Sequence, residues 1–285
     1  MASYSYATFT TTYSEPGRQL CVETASGQSC GPRQIQIGTF YPALASGSNP
    51  VPYRGYDALP LVIFAPGFDE FYSNYLVMIQ AMVRSGFVVV ALNFPRTNPD
   101  ADGGLFEGDI LNQPGDISQA INWALSASQT SSSPLYRLID STKIAVAGQS
   151  DGGDTALALV YNSCCIDSRV KAAVIFSGAE LASYPGSYFP AGVAIPLLVI
   201  QGSADVINPP AASTQIFAQA PVPKYLLWLP GADHISPYTV QNPYEAAVAS
   251  VTGDFLQGYL ESNSSALAKM ATDGNVASVA TLTSN

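Results

Sequence analysis

The chain has 285 residues, of which 47% are hydrophobic and 11% are charged, and its formal net charge is −10. This length suits one large domain, which can bury enough surface to fold without a metal or a disulfide. An acidic surface repels phosphate backbones, so the composition excludes nucleic-acid binding. No apolar run approaches the ~20 residues that a membrane span needs, so we expect no membrane-spanning segment.

Short apolar runs alternate with helical patterns from about residue 60 onward. Ser73 is the predicted N-cap of a first helix that ends at Gly86, and Asp116 with Gln119 forms the pattern of a capping box for a second helix. Predicted strands cover 61–65, 87–92, 143–147, 172–176, 197–201 and 225–229, and further helices cover 154–161, 211–220 and 244–260. Apolar strands that alternate with helices predict a mostly parallel sheet with helices on both faces.

The two ends of the sequence differ from this pattern. Residues 1–60 lack helical periodicity and are expected to add antiparallel strands, of which 35–41 is the clearest. Residues 261–285 are rich in Ser, Ala and Thr and are expected to form a loose helix and a C-terminal tail. We therefore expect a single α/β domain over residues 1–285.

The cysteines and the composition bear on the compartment. Cys21 and Cys30 flank Gly27 in a turn-like stretch where a hairpin disulfide fits, whereas the adjacent Cys164 and Cys165 are interpreted as small buried residues at a helix end. Few charges and many uncharged polar residues are more typical of exported than of cytosolic proteins. Residues 1–4 have neither the basic start nor the apolar core of a signal peptide. We expect a secreted protein whose signal peptide is absent from this sequence, with a cytoplasmic protein as the alternative.

The most informative motif is G-x-S-x-G, which spans Gly148 to Gly152 with Ser150 at its centre. It follows a predicted strand directly and opens a helix, which is the setting of a nucleophile elbow. A serine hydroxyl becomes a good nucleophile when a base takes its proton, and histidine is the usual base. The chain has one histidine, His234, and it follows the last predicted strand.

On these residues the sequence resembles the α/β-hydrolase family, in particular esterases of the dienelactone-hydrolase, platelet-activating-factor-acetylhydrolase-like and polyester-hydrolase (cutinase-like) type. The resemblance covers about residues 35–260 and implies an α/β-hydrolase fold, no cofactor and no metal. The family order of nucleophile, acid and histidine implies these roles for Ser150, Asp205 and His234. Glu180, which follows the preceding strand, and Asp233 are the rival acids.

The resemblance also implies an oxyanion hole. Its N–H donors are the backbone of Asp151, next to the serine, and that of Phe68, which follows a Pro-Gly turn. Asp151 and Asp69 place carboxylates beside this hole, and we hypothesise that they disfavour anionic substrates. Tyr184, Tyr188, Phe189 and Trp228 are candidate lining residues, with core packing as the alternative.

The substrate class follows from what the sequence lacks. The short segment 177–196 leaves no room for a lid domain, and the aromatic residue of polyester hydrolases has no match at 177–180. We expect a monomeric protein with an open site that cleaves small or aryl esters. The alternatives are a polyester or lipid hydrolase with the same triad, or a non-catalytic binding protein of hydrolase fold.

An acidic loop resembles a cation-binding sequence. Asn98, Asp100 and Asp102, with Asp109 further on, nearly copy the ligand spacing of a calcium loop, but the pattern lacks flanking helices and ends in Asp. We favour a solvated acidic loop, with a calcium site as the alternative.

Overall fold

The computed structural model describes residues 5–24, 27–45, 47–48, 52–53 and 57–285. The strands are β1 (Ser5–Thr24), β2 (Gly27–Ala43), β3 (Gly47–Ser48), β4 (Leu59–Ala65), β5 (Val88–Asn93), β6 (Ile139–Gln149), β7 (Val170–Phe176), β8 (Leu197–Gly202), β9 (Lys224–Leu229) and β10 (Thr281–Ser284). The helices are α1 (Leu76–Arg84), α2 (Gln113–Gln129), α3 (Asp151–Tyr161), α4 (Pro210–Gln219), α5 (Ser236–Thr239), α6 (Pro243–Leu260) and α7 (Ser264–Asp273). Two 3-10 helices, Tyr72–Tyr75 and Glu107–Asn112, precede α1 and α2.

The described strands form one sheet in the order β10-β9-β8-β7-β6-β4-β5-β2-β1-β3. The six strands from β4 to β9 are parallel, with α1, α2, α3 and α4 in the connections between successive strands. β2 pairs antiparallel with β5, and β1 pairs antiparallel with β2. The expected α/β fold, with a mostly parallel sheet and antiparallel N-terminal strands, is confirmed.

The central strands are buried on both faces, which explains their continuous apolar sequences. In β4, Leu61 and Ile63 point into a cluster with residues of α2 and α3, such as Ile121. The alternate residues of β4, such as Val62, point to the other face, where Phe255 of α6 packs. This alternation follows from the two-residue period of a strand. Helices therefore cover both faces, and the carboxyl ends of the strands remain free for a site.

The N-terminal hairpin of β1 and β2 is fastened to α2 by a buried arginine. Arg33 of β2 is 1% exposed and binds the carboxylates of Asp116 and Asp109. The predicted capping role of Asp116 is therefore wrong, since α2 begins at Gln113 and Asp116 lies inside the helix. A carboxylate in the first turn of a helix has the same sequence pattern as a cap, and Arg33 was too distant in the sequence to be recognised as its partner.

The helix predicted after Ser73 begins later than expected. Ser73 lies within the 3-10 helix Tyr72–Tyr75, and α1 starts at Leu76 without a side-chain cap. The predicted N-cap role of Ser73 is therefore wrong. The apolar face carrying Met82 and Ile79 is buried as its spacing predicts.

All four cysteines form disulfides. Cys21 is bonded to Cys30 across the β1–β2 hairpin, at directly opposed positions of the two strands. Cys164 is bonded to its neighbour Cys165 just after α3, so the interpretation of these two as buried thiols is wrong. Cys164 is exposed, and its segment forms a tight turn rather than a helix end packed in the core.

The last part of the sequence completes one edge of the sheet. Residues 261–285 contain α7, and they also contain β10, which the sequence does not predict. β10 pairs antiparallel with β9, so that Thr281 faces Trp228. None of the described helices combines the length and the apolar character needed to cross a bilayer. Residues 1–4, whose sequence lacks the pattern of a signal peptide, lie outside the described part of the chain.

Candidate active site

The turn between β6 and α3 presents Ser150 at the carboxyl edge of the sheet. Ser150 has φ 55° and ψ −125°, a strained conformation for a residue with a side chain. The turn is possible because glycines at 148 and 152 let backbone segments of the protein approach each other closely. A Cβ on Gly148 would lie 2.1 Å from the Gly152 carbonyl oxygen, and one on Gly152 would lie 2.2 Å from the Ala65 oxygen. The local sequence therefore forms the sharp strand-to-helix turn that its motif predicts.

The structure brings Ser150, His234 and Asp205 together in a hydrogen-bonded chain. The Ser150 Oγ lies 2.9 Å from His234 Nε2, and His234 Nδ1 lies 2.7 Å from Asp205 Oδ2. Asp205 follows β8 and His234 follows β9. These strands run parallel to β6, so their carboxyl ends deliver the three side chains to the same edge.

The Asp205 carboxylate is held by several donors. Its Oδ1 accepts hydrogen bonds from the backbone N–H groups of Ile207 and Asn208, at 2.9 and 3.0 Å. Its Oδ2 also accepts one from Gln201 Nε2 at 3.1 Å. The Asp205 side chain is fully buried, whereas that of His234 is 12% exposed. A carboxylate fixed in this way orients the imidazole, with Nδ1 as donor and Nε2 free to accept a proton.

The two rival acids contact other groups. Glu180 accepts hydrogen bonds from the side-chain amides of Gln215 and Gln219 on α4. Asp233 accepts hydrogen bonds from the backbone N–H groups of Ile235 and Ser236, and so fixes the turn into α5. Neither carboxylate contacts the imidazole in the described structure, so the geometry favours Asp205.

The two expected oxyanion donors come from the turn after β4 and from the start of α3. Phe68 and Asp151 both line the cleft around the serine. Among the described residues, no carbonyl or side chain accepts a hydrogen bond from the N–H of Phe68 or of Asp151. Asp151 is the first residue of α3, where backbone N–H groups lack partners within the helix. Both N–H groups are therefore available to a bound group.

The cleft at Ser150 has a volume of about 440 Å³, which is enough for a small ester. Its lining residues are Gly67, Phe68, Glu70, Glu107, Gln149, Ser150, Asp151, Ile207, Asn208, His234 and Ile235. The four aromatic residues suggested as lining are not among them, and Tyr184 is instead buried against Ile110 and Ala158.

A larger cleft of about 590 Å³, near Leu59 and Phe87, lies at the opposite ends of β4 and β5 and is remote from Ser150.

The cleft is acidic. Burial and the nearby charge of Glu107 raise the pKa of Asp151 to about 6. The Oδ2 atom of Asp151 is buried, and no described residue donates a hydrogen bond to it. Glu70 and Glu107 line the same cleft, and its described lining residues include no Lys or Arg. A substrate or product with a negative charge would therefore meet repulsion here.

The acidic loop does not assemble as a cation site. Asp109, the last residue of the calcium-like pattern, binds Arg33 through both carboxylate oxygens, at 2.9 and 2.6 Å. Across the described ranges, no group of three or more His, Cys, Asp or Glu side chains is arranged to hold a metal ion.

Sequence reasoning missed two polar residues beside the triad. Gln149 is fully buried, and its side-chain amide lies against His234. Tyr75, also fully buried, donates its hydroxyl proton to Gln149 Oε1 at 2.7 Å. Gln149 precedes the serine in the motif, so its position was visible in the sequence. Tyr75 carried no signal, because its spacing in a helical pattern resembles that of an ordinary core residue.

Comparison with known proteins shows which family the chain resembles. The family model described as PETase, PET hydrolase-like, matches residues 38–264, which include all five of the expected site residues. A search of curated proteins finds no match to this sequence. The match confirms the resemblance to α/β-hydrolase esterases of the polyester-hydrolase type.

Proposed function

The chain belongs to the PET hydrolase-like family of carboxylic ester hydrolases, and from this premise we propose that it cleaves esters through Ser150, His234 and Asp205. Ser150 is the nucleophile, His234 is the general base and acid, and Asp205 orients the imidazole. The backbone N–H groups of Phe68 and Asp151 form the oxyanion hole. The observation that carries this proposal is the unbroken chain of contacts from Ser150 Oγ through His234 to Asp205.

The first half of the reaction forms an acyl-enzyme. As the Ser150 Oγ bonds to the ester carbonyl carbon, its proton moves to His234 Nε2, and Asp205 stabilises the resulting imidazolium. The carbonyl oxygen becomes an oxyanion and accepts hydrogen bonds from the two backbone N–H groups. The C–O bond to the alcohol then breaks, and the alcohol leaves with the proton from His234.

The second half releases the acid. Water enters at the position of the alcohol, gives a proton to His234 Nε2 and bonds to the acyl carbon. The second oxyanion collapses, the Ser150 Oγ leaves and regains its proton from His234, and the carboxylic acid departs. No step requires a cofactor or a metal. The open cleft and its modest volume favour small or aryl esters as substrates.

The direct test is hydrolysis of a 4-nitrophenyl ester series from C2 to C16 by the wild type and Ser150→Ala. We expect a preference for short chains, and a loss of kcat of at least about 10⁴-fold in the variant. Ser73→Ala, which replaces an exposed serine, is the matched control and should keep full activity. If the wild type cleaves no ester and an organophosphate does not label Ser150, the chain is a binding protein of hydrolase fold.

A polyester is the second candidate substrate, and an apolar rim beside the cleft favours it. Val206 and Ile207, directly after Asp205, are 86% and 64% exposed, and Phe106, next to Glu107, is 54% exposed. Large exposed apolar side chains around a cleft typically mark a contact surface. Val206→Ser with Ile207→Ser should lower the hydrolysis of an amorphous polyester film more than that of 4-nitrophenyl acetate. Equal losses on both substrates would remove the support for this candidate.

We also propose an oxidising, extracytoplasmic compartment. Two disulfides support it, because such bonds persist mainly outside the reducing cytosol. Thiol labelling of the protein recovered from its native source tests the proposal. Free thiols in the freshly isolated protein would point to the cytoplasm instead.

A further inference from the structure

The side chain of Gln149 has one possible amide orientation. Its Oε1 accepts the hydroxyl proton of Tyr75, and its Nε2 donates to the His234 carbonyl oxygen at 2.9 Å. A flipped amide would place two acceptor oxygens against each other at His234. Burial holds the pKa of Tyr75 far above its ordinary value, so the hydroxyl keeps its proton and remains a donor.

Tyr75 extends this contact to the turn that carries the oxyanion hole. The Gly67 N–H donates to the Tyr75 hydroxyl oxygen at 3.4 Å. Gly67 also packs on the amide itself, since a Cβ at this position would lie 2.8 Å from Gln149 Oε1. Phe68, the expected oxyanion donor, is the next residue. Gly67, Tyr75, Gln149 and His234 therefore form one continuous chain of contacts, which we call the Gln149 link.

We propose that Gln149 and Tyr75 are positioning residues, and that the Gln149 link fixes the position of the turn at Gly67 and Phe68 relative to His234. This inference rests on the proposed function. The base and one oxyanion donor come from loops after β9 and β4, which lie far apart in the sheet order. Ser150 packs on Gly67, since a Cβ at Gly67 would lie 3.2 Å from the Ser150 Cβ, but the hydrogen bonds among Ser150, His234 and Asp205 do not extend to this turn. The Gln149 link makes that connection through buried groups.

A second contact brings Gln149 close to the proton-transfer atom. Gln149 Nε2 lies 3.2 Å from His234 Nε2, and the Ser150 Oγ lies 2.9 Å from the same nitrogen. The single lone pair of Nε2 accepts the Ser150 hydroxyl, so the amide acts at this nitrogen by packing beside the ring and limiting its rotation. Loss of the amide therefore affects the transition state, in which the geometry of Nε2 matters, more than it affects substrate binding.

The test uses Tyr75→Phe, Gln149→Met and the double variant, with kcat and KM measured on 4-nitrophenyl acetate. We expect kcat to fall about 10- to 100-fold in each single variant, with KM within twofold of the wild type. The double variant should lose little more than the worse single variant, because both break the same link. Tyr75→Phe keeps the ring that packs on Phe64, so it should fold even if Gln149→Met does not.

The control is Tyr259→Phe, which removes a hydrogen bond between Tyr225 and Tyr259 remote from the cleft. It should leave both kinetic constants unchanged. All assays are run well below the thermal midpoint of each variant, so that loss of folded protein does not mimic loss of kcat. The inference is wrong if kcat stays within twofold, if KM changes instead, or if the two losses multiply in the double variant.

Covalent labelling separates this inference from the proposed function. An organophosphate should label the Tyr75 and Gln149 variants to full stoichiometry but more slowly, whereas Ser150→Ala takes up no label. Labelling of the link variants at the wild-type rate would refute the positioning role and leave the triad proposal intact. Absence of labelling in the wild type would refute the triad itself.

Discussion

Arg33 and Asp116 form a buried, bidentate ion pair. Arg33 Nε and Nη2 lie 2.6 Å from Asp116 Oδ1 and Oδ2, and the two side chains are 1% and 0% exposed. Burial alone would lower the pKa of Arg33, but its hydrogen bonds to Asp116 and Asp109 raise it, so the guanidinium stays charged. The pair joins β2 of the N-terminal hairpin to α2.

Arg33→Met should destabilise the protein strongly, because it removes the ion-pair partner of the buried Asp109 and leaves Arg18 as the remaining cation at Asp116. We expect the free energy of unfolding to fall by about 3–5 kcal/mol, as measured by urea unfolding at pH 7. Arg84→Met, at an exposed arginine of α1, is the control and should change it by less than about 0.5 kcal/mol. A comparable small loss in both variants would mean that water reaches the buried carboxylates.

Asp151→Asn should change stability in a pH-dependent way. Burial and Glu107 raise the pKa of Asp151 from its ordinary 3.8 to about 6, so the folded state holds this proton more tightly than the unfolded state does. The contribution of Asp151 to the free energy of unfolding is therefore fully present below about pH 4 and is lost as the pH rises through about 6. We expect Asp151→Asn to be about 2 kcal/mol more stable than the wild type at pH 8 and equal to it at pH 3.5. Unfolding curves at the two pH values measure the difference.

The same substitution should alter the preference for substrate charge. Asp151→Asn keeps the backbone N–H of the oxyanion hole and removes one negative charge from the cleft. At pH 8 we expect kcat/KM for the anionic mono-4-nitrophenyl succinate to rise about tenfold relative to that for neutral 4-nitrophenyl butyrate.

The sequence suggested the same effect for Asp69, but its carboxylate is exposed and is not among the described residues that line the cleft, so Asp69→Asn is the matched control and should change the ratio little. If Asp151→Asn raises both rates equally, the carboxylate acts on the oxyanion and does not select the substrate.

Gly152→Ala should disrupt the nucleophile turn. The added Cβ would lie 2.2 Å from the Ala65 carbonyl oxygen, and a backbone atom cannot move aside as a flexible side chain can. We expect a loss of at least about 3 kcal/mol in unfolding free energy, or no folded protein. Gly31→Ala in β2, where the added Cβ meets nothing within 4 Å, is the control and should remain folded and active. Thermal unfolding of both variants is the measurement.

The elements that the sequence predicts well are those determined by local pattern. The strand before Ser150 and the turn that exposes it are encoded within residues 139–152, because apolar burial and two close glycines leave few alternatives. The placement of His234 and Asp205 follows from the parallel order of the strands that precede them. Their roles in catalysis stay a prediction, which the labelling and kinetic experiments test.

The features that the sequence does not predict depend on partners distant in the chain. Asp116 has the pattern of a helix cap, and only the folded hairpin brings Arg33 to it. The Cys164–Cys165 bond is a different case, because it joins adjacent residues and depends on the local turn after α3. Tyr184 was a candidate for the cleft, but its hydroxyl donates to the Ile110 carbonyl oxygen inside a small separate cluster. In each case the residue type was recognised and its partner was not.

The strand β10 has a consequence for behaviour at high concentration. It pairs along β9 and occupies the N–H and C=O groups with which that apolar strand would otherwise recruit a strand from another molecule. β10 itself is only four residues long and consists of Thr, Leu, Thr and Ser, so it offers a short and polar edge in place of a long apolar one. A protein shortened by these residues would present β9 to its neighbours, and its tendency to form intermolecular sheet would rise with concentration.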